Sequence, residues 1–284
     1  MAPKPTTSYR RFYDVNGWLF VSIALGLIGV FMAYPIVKSL WLSLHSGQGS
    51  VMKFVGAGNV ERLFSDPIFL TALINTFIFL IVQVPIMIVL ALIMASCLNM
   101  PNLKFRGILR TAVFLPCVTS LVAYSVLFKS MFSYDGLVNS LLLKTGLISE
   151  AIPWLSDPFW AKVVVITAIT WRWTGYNMIF YLAAMQNIDK SIYEAARIDG
   201  ISATRRFLSI TVPMLKPVIL FTTVTSTIGA LQLFDEPMNI TNGLISDVTL
   251  TLSLYIYKLS FRYVPNFGYA ATVSYVIVVL VAIL

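Results

Sequence analysis

Residues 67–103 carry no charged side chain. That stretch is too long for one upright helix across a bilayer and slightly short for two helices and a turn. A hydrocarbon core of roughly 30 Å takes about 20 helical residues at 1.5 Å each, so this run alone moves the chain out of water. The rest of the sequence agrees. Of 284 residues, 58% are hydrophobic and 11% charged, against about 25% charged in an ordinary soluble domain. The apolar blocks also lack the alternating segments of about 10 residues that a β-barrel needs. The sequence predicts an all-α, polytopic helical membrane protein forming a single transmembrane domain over 1–284.

Six spans are expected, over 18–40, 71–98, 111–128, 163–185, 217–234 and 263–284. The residues before Thr71 are read as lying along the interface. Pro85 should kink the second span, with neighbouring helices satisfying the freed carbonyl. The first span reads as retained. Its apolar stretch exceeds the roughly 7–15 residues of a signal-peptide core, and no small-residue cleavage site follows Tyr34-Pro35.

Orientation follows from Lys and Arg. With residues 1–16 in the cytoplasm, the inner segments 1–16, 99–110 and 186–216 hold eleven basic residues in 59, and the outer segments 44–67, 129–162 and 235–263 hold seven in 87. That density favours a cytoplasmic N-terminus, and six spans return the C-terminus to the same side. The net charge of +8 is thus that of short membrane loops rather than of a nucleic-acid-binding surface.

Several chemistries are excluded. His45 stands alone and builds neither a metal site nor a triad. Cys97 and Cys117 sit in apolar stretches and read as buried small hydrophobes. No G-x-x-x-x-G-K-[ST] spacing occurs, so the chain has no visible means of hydrolysing ATP. Gradient-driven carriers commonly place acidic residues within their spans; here Asp235 and Glu236 are placed at the outer end of the fifth span. Arg172 is the clear charge inside a span, and it either snorkels to outer water or faces a substrate path or gate. Trp173, Tyr176, Asn177 and Phe180 share one side of the fourth span, and the fifth offers Gln232. These five are either a candidate substrate path, with aromatic faces and hydrogen-bonding groups, or interhelical packing.

The loop over 187–216 is too patterned for a tether. Asp189 or Ser191 can cap a helix, and Ser191 with Glu194 has capping-box spacing. Gly200 is suited to a left-handed stop. Ser202 or Thr204 can cap a second short helix carrying Phe207, Leu208 and Ile210, which Pro213 and Pro217 end. Ala195 and Ala196 leave one side of the first helix with little bulk, open to close approach by another protein, while Glu194, Arg197 and Asp199 supply charge at the rim. The alternative is a self-contained surface hairpin in which Glu194 serves only the capping box.

The string Glu194-Ala195-Ala196, then Asp199-Gly200, Ile210, Pro213 and Pro217, resembles the EAA loop of permease subunits in binding-protein-dependent ABC importers. The flanks, including Phe54-Val55-Gly56, Asn75-Thr76, Phe114-Leu115-Pro116 and Phe234-Asp235, are similar to the sugar-uptake branch that contains the maltose and lactose import permeases. The resemblance runs from about Phe54 to Tyr275. It implies a non-catalytic, multi-pass subunit of the bacterial inner membrane that pairs with a second, different permease. Two partner ATPase subunits would bind ATP and magnesium, and a periplasmic binding protein would deliver a sugar. It implies ATPase coupling by alternating access through Tyr193, Glu194, Ala195, Ala196, Asp199 and Gly200. Neither cofactor, metal nor nucleic acid is expected on this chain.

Two departures from the family pattern are visible. Asp189 stands where proline is frequent, though an N-cap aspartate can also start a helix. Thr241-Asn242-Gly243-Leu244-Ile245-Ser246 stands where a glycine-glycine-proline turn is usual, so that loop is expected to fold differently.

Overall fold

The computed structural model describes residues 7–48, 51–100, 102–241 and 247–284, with the side chains of 7–15, 48 and 51 excepted. The departure noted over 241–246 therefore falls, apart from Thr241, outside the described residues.

Helix α1 (Thr7–Ile28) passes through a π-helical turn (Gly29–Ala33) into α2 (Tyr34–Ser43). Pro35 has no N–H for the carbonyl four residues back, and the helix widens there instead of breaking. In the most apolar 18-residue window of Asn16–Ser43 no residue is buried within the chain, as expected of a helix that meets lipid or another subunit. A short antiparallel hairpin follows, β1 (His45–Gln48) with β2 (Val51–Phe54), pairing His45 with Phe54. This is the small exception to an all-α chain. Helix α3 (Gly58–Ser65) fastens the hairpin to α2, because Asn59 Nδ2 donates to the carbonyls of Ser43 and His45 at 2.8 and 2.9 Å.

Helix α4 (Pro67–Leu98) runs without interruption through Pro85. Asp66 caps it by accepting from the amides of Ile68 and Phe69 at 3.0 and 3.3 Å, and Pro67 fits the first turn, where no donor is needed. The residues before Thr71 are thus the first turn of the same helix rather than a separate segment. At 1.5 Å per residue the helix is about 48 Å long, so it tilts or projects beyond the hydrocarbon.

The third expected span is not straight. Helices α5 (Arg106–Val118) and α6 (Leu121–Met131) meet at 98°. Pro116 removes a donor near the end of α5, and Thr119 and Ser120 turn extended, with ψ of 150° and 130°. After α7 (Leu137–Lys144), Asn139 organises the connection. It donates to Tyr134 O and Ile152 O at 2.9 and 2.8 Å and accepts from Trp154 Nε1 at 2.8 Å.

Helix α8 (Pro158–Gln186), capped by Asp157, is the central element, packed against both α4 and α5. Gly175 permits that crossing: a Cβ there would run into the backbone carbonyl of Val113. Then come α9 (Lys190–Ile198), α10 (Ala203–Arg206), a π turn (Phe207–Thr211), α11 (Val212–Met214) and α12 (Lys216–Leu231). The second loop helix ends between Pro213 and Pro217: the π turn carries the chain past Pro213, and the bend, 72°, falls at Leu215. A π turn (Pro237–Thr241), α13 (Leu252–Tyr257), a further π turn (Lys258–Arg262) and α14 (Phe267–Ile283) complete the chain.

By length and composition, Asn16–Ser43 and Pro67–Leu98 can each cross a membrane alone. The two bent pairs, α5 with α6 and α10–α11 with α12, qualify together.

Candidate functional site

Two places carry the residues singled out from sequence, and α8 joins them. The first is the loop at its C-terminal end. Asp189, not Ser191, is the N-cap of α9, accepting from Ser191 N at 2.9 Å. The amide and hydroxyl of Ser191 hold the Asp189 carboxyl below the usual carboxylate range. The capping-box alternative for Glu194 therefore falls away: with the cap at Asp189, Glu194 lies two positions past the box position at Ile192, exposed and without a capping duty.

The far end of α9 is a Schellman stop. Ile201 N donates to Ala196 O at 3.0 Å and Gly200 N to Arg197 O at 3.1 Å. Gly200 has φ +70° with nothing within 4 Å of a would-be Cβ, so glycine is required by backbone conformation rather than by space. The paired alanines divide. Ala195 faces outward, whereas Ala196 is buried against the protein's own body. Asp199 and Glu194 remain exposed, and the half-buried Tyr193 anchors the helix.

The second place is a cavity of about 540 Å³ beside the middle of α8. It gathers Trp173, Tyr176, Asn177 and Gln232 on one wall set. Phe180 stands behind it, its ring edge-on to Tyr176 with centroids 5.1 Å apart. Trp173 meets Tyr176 edge-on at 5.7 Å, and Asn177 Nδ2 donates to Trp173 O at 3.1 Å. The cavity offers aromatic faces beside amide donors and acceptors. That combination grips a polyhydroxylated solute by stacking and by hydrogen bonds.

Two further members, Gln83 and Glu236, were not anticipated, and for a third, Arg172, the sequence leaves both outer water and a substrate path or gate open. Gln83 lies in the wall, and its polarity inside the charge-free run was the available signal. Glu236, just past the end of α12, is buried, 4% exposed; the π turn after it keeps Pro237, Ile240 and Thr241 buried in the protein. Arg172 does not snorkel to water. It is 9% exposed, with its guanidinium 4.8 Å from the ring of Tyr124 and its Nε and Nη1 without partners. Both Arg172 and Glu236 line the cavity. Of the two cysteines, Cys97 is exposed on α4 and Cys117 half-buried, both free, so the expectation of burial fails for Cys97.

Comparison with known proteins places this geometry. The chain is 65% identical to the lactose transport system permease protein LacF of Rhizobium radiobacter, over 100% of this chain and 96% of that relative. It is 33% identical to the arabinooligosaccharides transport system permease protein AraP of Bacillus subtilis, covering 89% and 81%. Among solved structures, a bacterial ABC transporter involved in import of the acidic polysaccharide alginate superposes with TM-score 0.84 at 22% identity, over 96% of this chain and 95% of that one. At that identity the likeness is one of fold. The model of the family described as binding-protein-dependent transport system inner membrane component matches residues 64–284. The chain belongs to that family of binding-protein-dependent inner-membrane transport components.

Proposed function

We propose that this chain is the permease subunit of an ATP-driven importer and forms half of the path for a disaccharide or oligosaccharide. The cavity beside α8 carries the reading. Trp173 and Tyr176 supply flat faces for a sugar ring, and Asn177, Gln83 and Gln232 supply neutral hydrogen-bonding groups for its hydroxyls. Relatives named for lactose, arabinooligosaccharide and alpha-glucoside transport support that solute class. The cavity is open on one side, where a second, different permease would close it. A periplasmic binding protein would deliver the sugar there.

Energy would arrive at the other end of α8. The chain has no P-loop, so two partner ATPase subunits bind ATP and magnesium in this reading. Exposed Glu194, Ala195 and Asp199 form the docking edge of α9. Buried Ala196 and the Gly200 stop hold that edge at a fixed angle. Closure of the ATPases would then move α9 with the loop end of α8 and reopen the cavity to the opposite side.

The test is uptake of labelled lactose into vesicles holding this chain with its cognate second permease and ATPases, supplied with loaded binding protein. Uptake is expected to need enclosed ATP and to survive collapse of ion gradients. Trp173→Ala and Gln232→Ala should each reduce it. Uptake driven by an ion gradient without ATP overturns the proposal.

A further inference from the structure

A second cavity, of about 610 Å³, lies between the loop and the ends of α4, α5 and α8. Its charge is lopsided. Arg106 at the start of α5, Lys190 and Arg197 on α9, and Arg206 on α10 all line it, against a single carboxylate, Glu194. Among the described residues the one ion pair is Lys258 with Asp247, so none of these four cations has a carboxylate within 4.0 Å. Arg106 is held in place by donating from Nη2 to the carbonyl of Met100, which leaves its Nε buried with no partner.

Four like charges facing one partly enclosed space repel each other, more strongly than in water because the surroundings are of lower dielectric. A bound anion relieves that repulsion. Guanidinium groups match the geometry of phosphate oxygens, and basic pockets between helix ends on the cytoplasmic side of a membrane are suited to phospholipid headgroups. Beside Arg106, Phe105 and Ile108 stand exposed at 74% and 67%, which offers acyl chains an apolar flank.

We infer that this cavity is a binding site for a phosphate-class anion, taken from the headgroup of an anionic phospholipid of the leaflet that faces the loop. The placement of that leaflet rests on the proposed orientation. The anion would bridge Lys190 and Arg197 on α9 to Arg106 on α5, and so brace the loop against the span ends.

Native mass spectrometry of the full chain in mild detergent tests this, with phosphatidylglycerol, phosphatidylcholine or inorganic phosphate added in separate arms. One phosphatidylglycerol is expected to be retained in preference to phosphatidylcholine. The double variant Arg197→Gln/Arg206→Gln removes two cations that make no hydrogen bond in the fold, and retention should fall roughly 20- to 30-fold, at about fivefold per cation. Lys144→Gln, on the separate helix α7, should leave it unchanged. Binding of inorganic phosphate that the same double variant abolishes also supports the site and assigns its source to a soluble phosphate. Equal retention of phosphatidylcholine, or retention of phosphatidylglycerol indifferent to the double variant, overturns the inference. A charge requirement seen only when the ATPase is bound, with no lipid retained, assigns the cations to a protein partner and overturns it as well. The measurement needs neither ATP nor sugar, so its failure and that of the import proposal are separable.

Discussion

The hydroxyl of Tyr193 lies 3.1 Å from Oγ1 of Thr211, joining α9 to the π turn that leads toward α12. Thr211 is buried and Tyr193 half-buried, so water does not readily replace this bond. It makes the loop a braced unit rather than a pair of independent helices. Tyr193→Phe removes the bond and keeps the ring. A net hydrogen bond is worth about 0.5–1.5 kcal/mol, so amide exchange in α9 should quicken by about 2- to 12-fold while the chain still inserts normally. Unchanged exchange in α9 would show that ring packing alone holds it.

Gly200 gives a probe free of steric ambiguity. At φ +70° with open space around it, Gly200→Ala meets no neighbour and bears only the left-handed strain, about 1–2 kcal/mol. Gly200→Val adds the restriction of a β-branched side chain. Ordinary accumulation in the membrane is expected for both, with ATP-dependent uptake reduced in the first and lost in the second. Full uptake in Gly200→Val would reduce the loop to a tether.

The sequence was most legible where one interaction dominates. The charge-free run declared a long helix, and the glycine at 200 declared a stop, because burial and left-handed φ each admit few residue types. Tertiary balance was harder to read. Pro116 and Pro213 look alike in sequence and a bend follows each, of 98° and 72°, yet only the second is preceded by a π turn. Similarly, Asp189 and Ser191 were equal candidates for one cap until the helix start was fixed. The burial of Glu236 was not legible, because hydropathy counts residues along a span and cannot foresee how the chain packs beyond its end. Trp173, Tyr176 and Asn177 do line one cavity, since i, i+3 and i+4 spacing on one helix determines a shared face without tertiary knowledge, whereas Gln232 joins them from the end of α12 through tertiary packing. Arg172 was assigned between water and protein by no local signal at all.

Asp66 predicts a pH effect. Burial opposes its ionisation, but hydrogen bonds outweigh that: Tyr255 and Tyr269 donate their hydroxyls to Oδ2 at 2.6 and 2.7 Å, and two amides donate to Oδ1. The carboxyl is therefore held below its ordinary value of 3.8. With the folded value depressed, its stabilisation is present above that ordinary value and lost as pH falls through the folded one. Asp66→Asn should lower thermal stability by a similar margin at pH 7 and pH 5. The margin should shrink below about pH 4. A margin constant down to pH 3 would mean that the charge contributes nothing.

Orientation is open to direct labelling. With Cys97 and Cys117 replaced, a cysteine at Arg205 should be protected from impermeant thiol reagents in intact cells, and one at Lys144 should react. Both positions are exposed on the protein, so the membrane rather than the fold decides access. The reverse pattern would place the loop on the wrong side for an ATPase, and would also remove the cytoplasmic leaflet from the second cavity.

Arg172 and Glu236 share a buried cavity and feel each other's charge. They are not in direct contact as an ion pair, since the described residues contain one such pair and it lies elsewhere. Tyr124 stands close to both, its ring 4.8 Å from the Arg172 guanidinium. Opposite charges that share a low-dielectric cavity attract more strongly than in water, so removing either leaves the other less compensated. Arg172→Met and Glu236→Gln should therefore each lower the thermal stability of the detergent-solubilised chain. The double variant should be less damaged than the two losses added, with an interaction of about 0.5–3 kcal/mol. Strict additivity would mean that the two charges are compensated separately, Arg172 by the face of Tyr124 and Glu236 by water in the cavity. Transport gives an independent readout. A pair that only braces the fold should, in Arg172→Lys, leave the KM for delivered sugar unchanged. A pair whose free N–H and carboxylate groups meet sugar hydroxyls should raise that KM without reducing the amount of assembled transporter.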